Sequence, residues 1–272
     1  MPEGPECRHI TDCLNEIVST RQLCEISILG GRYKRHAPFN GYLQFNELLN
    51  TSIINVVSIQ CHGKFIYWNF SNGYSLWNTL GMSGQWTTTQ DKHCHVMFKF
   101  SDELVLYFRD IRNFGTLNIV SKSELLDKKL KTLGYDILSD TPLDQTLYLN
   151  IFYKRKDWNI CKFLMDQRYF SGVGNYIKSE ALYIAKVNPF LTIKELSDSQ
   201  LSSIYEAVRE IAHKSYLSKG ASFNTFKDPD SNKGRYSFEF KVYGQVKCGE
   251  FAVKRDKTPD NRSTYWIPEI CS

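Results

Sequence analysis

The chain has 272 residues, 42% of them hydrophobic, which is enough for two modest domains with buried cores and too apolar for wholesale disorder. Its formal net charge of +5 permits an anionic partner such as nucleic acid, and fits an ordinary basic surface equally well. No apolar run reaches the roughly 18 residues of a membrane span. The start Met-Pro-Glu-Gly-Pro-Glu lacks the basic and apolar regions of a signal peptide, and the eight cysteines include no Cys-x-x-Cys pair, so reduced thiols in an intracellular protein are expected.

The first predicted element is a helix. Pro5 suits its first turn, and Ile10, Leu14, Ile17 and Val18 recur on one face. Pro2 and Glu3 therefore stand just ahead of an anchored helix, although most chain termini fray. From Leu23 to about Ile119 the pattern changes to short β-rich runs broken by turn residues. They include Ile53–Cys61, Phe65–Phe70, Tyr74–Trp77, Val96–Phe100 and Leu104–Phe108, and they predict an antiparallel sandwich or barrel. Helical patterns return from Asp157. Ile160, Phe163 and Leu164 share a face, Ser171-Gly172-Val173-Gly174-Asn175 interrupts, and Ile177, Ala181 and Ile184 resume until Asn188-Pro189. Ser197 and Gln200 have capping-box spacing ahead of a helix carrying Leu201, Ile204, Val208 and Ile211 and ending near Gly220. Residues 221–235 read as a flexible loop. In the tail, Phe238, Phe240 and Val242 alternate on one face and Thr264 and Trp266 on another, which predicts a terminal hairpin.

Some residues suggest chemistry. With Met1 removed, Pro2 presents a secondary amine, and an α-amino group titrates near ~8, so a useful fraction is neutral and nucleophilic. Such an amine attacking a sugar C1′ forms an iminium, and Glu3 beside it can shuttle protons. Met-Pro-Glu also begins many proteins that do no such chemistry. Lys64, in His62-Gly63-Lys64-Phe65 between two strands, is either a solvated turn lysine or an ammonium aimed at a phosphate. Gly172-Val173-Gly174-Asn175 joins two helices, either as a plain turn or as a backbone cradle for an anion at a helix N-terminus.

Taken in order, Pro2-Glu3-Gly4-Pro5-Glu6, Gly63-Lys64-Phe65, Leu80-Gly81-Met82-Ser83-Gly84, Arg109-Asp110-Ile111-Arg112-Asn113-Phe114-Gly115 and Met165-Asp166-Gln167…Gly174-Asn175 resemble the formamidopyrimidine-DNA glycosylase/endonuclease VIII family over almost the whole chain. The resemblance implies catalytic roles for Pro2 as Schiff-base nucleophile, Glu3 as acid/base and Lys64 as hairpin lysine. It implies that Met82, Arg112 and Phe114 fill the hole left by a flipped nucleotide, as apolar wedges and an Arg facing the orphaned base can do. It implies that Gly174, Asn175 and Arg262 grip DNA phosphates. Core packing is the competing reading for Phe114.

The tail departs from the pattern of many relatives, which carry a four-cysteine zinc finger. Only Cys248 and Cys271 lie there, and a structural zinc needs four ligands. The tail is similar to the zincless finger of endonuclease VIII-like enzymes, a hairpin held by Tyr243, Phe251 and Trp266. No metal and no cofactor is expected, and His93, Cys94 and His95 read as parts of a strand. Thr79 stands where many bacterial relatives have a His.

The expected fold is α+β with two domains: an N-terminal β-sandwich with its catalytic N-terminal helix over 1–135, a linker over 136–150, a helix-two-turn-helix domain with loop over 151–235, and a zincless-finger β-hairpin over 236–272. The expected activity is excision of oxidised bases, with oxidised pyrimidines and hydantoins favoured, followed by β,δ-elimination, by a monomer acting on duplex or single-stranded damaged DNA lying between the two domains. The alternatives are excision of 8-oxoguanine and formamidopyrimidines, a non-catalytic damaged-DNA-binding protein, and a ribosomal or topoisomerase-type protein sharing only the helix-two-turn-helix. Pro2, Glu3 and Lys64 argue against the non-catalytic binder, and the N-terminal motif blocks argue against the protein sharing only the helix-two-turn-helix.

Overall fold

The computed structural model describes residues 2–121, 123–221, 229 and 236–271. The loop expected over 221–235 therefore lies outside the described residues, save for Ala221 and Pro229. The chain forms two compact units. The first is built from Glu6–Thr132 with Pro2 and the described residues after Lys219. The second is built from Glu3–Pro5, Leu133–Ser218 and the described residues from 236 onward.

In the first unit the chain runs through helix α1 (Gly4–Val18), strand β1 (Gln22–Ile28), helices α2 (Gly31–Arg35) and α3 (Tyr42–Thr51), and strands β2 (Ile54–His62), β3 (Phe65–Phe70), β4 (Ser75–Thr79), β5 (Gly84–Thr87), β6 (Cys94–Phe100), β7 (Val105–Asp110) and β8 (Thr116–Val120). Helix α4 (Ser123–Leu130) follows. The strands form one antiparallel sheet in the order β5-β7-β6-β1-β2-β3-β4-β8. Its middle is thin, because β1 and β2 pair only at Gln22↔Asn55 and Leu23↔Ile54. The halves on either side face each other: Trp68 of β3 meets Trp86 of β5 and Phe98 of β6, with ring centroids 5.0 and 5.7 Å apart. Burying each such ring contributes about 1.5–3 kcal/mol, so this cluster holds the sandwich closed. Strand β6 shows the period-2 signal directly, with Val96, Phe98 and Phe100 buried and His95, Met97 and Lys99 turned outward.

Helix α1 buries Ile10, Leu14 and Val18 completely. A polar clamp fixes it along its axis: Asn15 Nδ2 donates to Ile59 O at 2.6 Å, and Ile59 N donates to Asn15 Oδ1 at 2.8 Å. One amide side chain thus satisfies both backbone groups of a strand residue, which a sliding helix could not do. Helices α2 and α3 interrupt the region expected as β-rich throughout. Phe45, Leu48 and Leu49 of α3 sit at helical spacing and pack onto the sheet core.

The second unit contains β9 (Tyr135–Asp136), α5 (Gln145–Tyr153), α6 (Ile160–Met165), β10 (Phe170–Ser171), α7 (Asn175–Ile184), α8 (Asp198–Leu217), and the short tail strands β11 (Lys247–Cys248), β12 (Phe251–Ala252), β13 (Lys254–Lys257) and β14 (Ser263–Trp266). Asp144 caps α5, Asn159 caps α6, and the Ser197/Gln200 box caps α8 as expected. Residues 136–150, expected as a linker, are structured within this unit. Strand β9 pairs in parallel with β10, and α5 lays Tyr148 on Tyr205 at 4.3 Å. The tail also differs from the single hairpin expected. Tyr236–Glu239 is a 3-10 turn, and two hairpins follow, β11 with β12 and β13 with β14. Trp266 packs on Phe190 and donates its indole N–H to Asp256 at 2.8 Å, whereas Tyr243 packs on Tyr265 and Phe240.

Candidate active site

Pro2 is buried immediately before α1, and Lys64 follows Gly63 in the turn between β2 and β3. Gly63 has φ +56°, a left-handed conformation that glycine adopts without a Cβ penalty, and it sets the two-residue turn.

The structure brings Glu3 to the glycine turn of the second unit. Glu3 Oε1 accepts from Tyr176 N at 2.9 Å and Oε2 from Ile177 N at 3.3 Å. The carboxylate thus takes two otherwise orphaned donors of α7 and sits at the positive end of the helix dipole. Gly4 N donates to Gly172 O at 2.9 Å, which fastens the next peptide as well. Gln167 organises the turn from below: Gly172 N donates to its Oε1 at 2.9 Å, and its Nε2 donates to Val173 O at 3.0 Å. The turn was expected to offer its helix N-terminus to a phosphate, but two of those N–H groups are engaged by Glu3.

This seating explains Gly174. Its φ of −131° is open to any residue, so backbone conformation does not demand glycine. A Cβ there would stand 2.1 Å from Glu3 Cδ. Gly174→Ala is expected to displace the Glu3 carboxylate and destabilise the protein by about 1–3 kcal/mol. A thermal melt alongside an excision assay checks this, and an alanine protein with unchanged melting and activity would show that the close approach is not needed.

Asn175 and Arg262 lie on neighbouring pieces. Asn175 Nδ2 donates to Ser263 O at 2.9 Å. Arg262 is exposed in the turn between β13 and β14. Tyr243, expected only as packing, sits beside both Asn175 and Glu3. Burial, then the Glu3 charge, push its phenol up, while a hydrogen bond from Asn175 pulls it down, and the net upward shift keeps the phenol neutral. Nothing local in the sequence marked Tyr243 for this place.

The expected void-filling residues form a second constellation, on the first unit. The Arg112 guanidinium lies 4.9 Å over the Phe114 ring, and Phe114 is 54% exposed although it is a large apolar side chain. The buried Asp110 laces this loop to the Met82 loop. Ser83 Oγ donates to its Oδ1 at 2.5 Å, Gly115 N donates to its Oδ2 at 2.7 Å, and Arg112 N donates to Ser83 Oγ at 2.9 Å. Gly81 has φ +58°, and a Cβ there would meet Phe114 C at 2.7 Å. Met82 on one loop is thereby joined to Arg112 and Phe114 on another, although it stands far from them in sequence. Sequence reasoning missed Ser83 and Asp110, although both stand inside the quoted motifs. Thr79 spends its hydroxyl on Thr116, 2.7 Å away across the β4–β8 pair.

His95 Nε2 donates to Asp110 O at 2.9 Å, and Cys94 is buried in β6. Among the described residues, no group of three or more His, Cys, Asp or Glu is placed to hold a metal ion. In the tail, Cys248 Sγ lies 3.4 Å from the Tyr183 hydroxyl and Cys271 is buried, and two thiols do not supply the four ligands of a structural zinc. No helix among the described residues is long and apolar enough to cross a membrane.

A β-rich unit with an exposed Arg112–Phe114 loop and a helical unit whose glycine-turn helix is capped by the buried Glu3 carboxylate place the chain in a class of two-unit α+β proteins. The comparisons make this specific. The sequence model of the formamidopyrimidine-DNA glycosylase N-terminal domain matches residues 1–117, and that of its H2TH domain matches residues 133–227. Formamidopyrimidine-DNA glycosylases of Rickettsia conorii and Rickettsia africae are 30% and 29% identical to it, each alignment covering 98% of this chain and 97% of the relative. The fold matches MutM (Fpg) of Thermus thermophilus with a TM-score of 0.85 at 23% identity, over 99% of this chain and 98% of that one. It matches Lactococcus lactis Fpg in complex with abasic-site DNA with a TM-score of 0.86 at 23% identity, over 99% of both chains. The chain belongs to the formamidopyrimidine-DNA glycosylase family, whose members are DNA N-glycosylases with abasic-site lyase activity.

Proposed function

We propose that the Pro2 nitrogen attacks C1′ of a damaged nucleotide, so that the bond to the base breaks and the base leaves, taking a proton from water, while the proton lost by the Pro2 nitrogen passes to Glu3. The C1′–O4′ bond then opens, Glu3 delivers a proton to O4′, and an iminium joins Pro2 to the sugar. The iminium acidifies the C2′ hydrogen, β-elimination expels the 3′ phosphate, δ-elimination expels the 5′ phosphate, and water releases Pro2. Lys64 supplies a cation to the DNA backbone. Gly174, Asn175 and Arg262 hold phosphates, and Met82, Arg112 and Phe114 fill the space of the flipped nucleotide, whose unstacking costs a few kcal/mol. The observation that carries this reading is the seat of Glu3 on α7, one residue after Pro2. The enzyme works as an intracellular monomer, and its tail is a zincless finger.

Oxidised pyrimidines and hydantoins are the proposed preferred lesions. A ring-saturated pyrimidine is non-planar and stacks poorly, so flipping it costs less than flipping a purine. Excision of formamidopyrimidines and 8-oxoguanine is the second reading, favoured by the names of the relatives at 29–30% identity. Single-turnover excision from duplexes that differ only in the lesion separates the two. Thymine glycol opposite adenine is expected to be released faster than 8-oxoguanine opposite cytosine, and equal rates would favour the second reading. Elemental analysis is expected to find no stoichiometric zinc in the purified protein, with activity intact after chelation. One tightly held zinc per chain would overturn the reading of the tail.

A further inference from the structure

Helix α7 carries a lysine where an amphipathic pattern places no charge. Lys178 has a side chain 0% exposed, and its Nζ lies 2.6 Å from Oδ2 of Asp260, whose side chain is 4% exposed. Asp260 belongs to the turn between β13 and β14. Its other oxygen, Oδ1, accepts from Thr258 Oγ1 at 2.6 Å and from the backbone N–H of Arg262 at 3.3 Å. Thr258 N closes the same turn by donating to Arg262 O at 3.0 Å, and Asn261 completes it in the left-handed region at φ +60°. One carboxylate therefore bridges the interior of α7 to the backbone of Arg262.

We infer that the buried Lys178–Asp260 ion pair is a positioning device for Arg262, fixing on α7 the turn from which that guanidinium reaches a DNA phosphate. A fully buried ion pair is a poor stabiliser compared with an apolar pair of similar volume, because desolvation offsets most of the attraction. It differs from an apolar pair in being directional, since only one placement of the turn satisfies both partners. The other links between α7 and this hairpin are Asn175 to Ser263 O and Tyr265 N to Ser179 Oγ. Both grip the strand β14, whereas Lys178 holds the turn through Asp260. The inference rests on the proposed role of Arg262 as a phosphate grip.

The test is a cycle of variants binding a duplex that carries a tetrahydrofuran abasic-site analogue, titrated over a range of salt concentrations. Arg262→Ala is expected to weaken binding about tenfold and to flatten the salt slope by about one unit. Lys178→Met/Asp260→Leu removes both charges together, so neither is orphaned, and is expected to produce the same loss and the same flattening. Adding Arg262→Ala to that pair should then cost nothing more. A purely structural pair would lower the melting temperature yet leave Arg262→Ala its full tenfold effect on the charge-free background, and that result overturns the inference alone. If Arg262→Ala binds like the unaltered protein, the phosphate role of Arg262 falls and the inference falls with it. Should the leucine variant not fold, Lys178→Met/Asp260→Asn retains an acceptor for Thr258 and Arg262 N, and the same pattern is expected of it.

Discussion

A protein that keeps Met1, or carries any residue ahead of Pro2, should form no covalent adduct with an abasic oligonucleotide in the presence of borohydride. With Met1 removed, Pro2 is a secondary amine with a lone pair available for attack. Joined to Met1, the same nitrogen is a tertiary amide whose lone pair is delocalised into the carbonyl. The expected effect is therefore complete loss of trapping and of strand cleavage rather than a graded decline. Binding to an abasic-site analogue should persist, because Gly174, Asn175 and Arg262 are untouched. Mass spectrometry of the chain start, run beside the trapping assay, makes the comparison. Efficient trapping with Met1 still attached would assign the Schiff base to another amine, and Lys64 would be the first to examine.

Glu3→Gln should cut base excision by about 10²–10⁴-fold. Gln has the right shape, but it can neither deliver nor accept the proton at O4′. It also fits the seat badly. Tyr176 N and Ile177 N both donate to the Glu3 carboxylate, and an amide offers them one acceptor and one donor. The displaced N–H group adds a stability loss of about 1–3 kcal/mol. Single-turnover base release measures the chemical part, and a thermal melt measures the structural part. A Glu3→Gln protein that excises at the original rate would remove Glu3 from the chemistry while leaving its capping of α7 intact. With Gly174→Ala the comparison is sharper: that change moves a chemically intact carboxylate, whereas Glu3→Gln alters the chemistry in place.

What could be read from the residues follows physical range. Helix α1 was legible because Ile10, Leu14 and Val18 repeat at helical spacing and are the residues that the fold buries. The strands β2, β3 and β6 were legible to within about two residues because alternation and turn residues are local signals. Helix α3 was missed because its ten residues are too few to outweigh the β-rich surroundings. In the tail, Phe238, Phe240 and Val242 alternate as a strand would, yet Tyr236–Glu239 takes a 3-10 turn. Long-range pairings were invisible. Lys178 lies where the helical pattern places no charge, and nothing near it in the chain names its partner Asp260, 82 residues on. Motif order pointed to Glu3, but nothing near Glu3 in the chain says that a helix beginning at Asn175 will receive it. Asp110 and Ser83 illustrate a middle case: both stand in visible motifs, and only their mutual hydrogen bond shows that one loop stiffens the other.

The seat of Glu3 also sets an order of events during synthesis. Its partner Ile177 lies 174 residues further along the chain, so the carboxylate has nowhere to dock when it leaves the ribosome. At about 5–20 residues per second, on the order of ten to thirty seconds pass before that helix start has been made. Throughout that interval the beginning of the chain is open to processing enzymes, as loose chain ends are. On the proposed mechanism this is the interval in which Met1 must be clipped. If Pro2 is the nucleophile, its amine has to be freed early while the first residues close late, and an N-terminal peptidase that lagged behind translation is then expected to yield folded protein that binds DNA without cutting it.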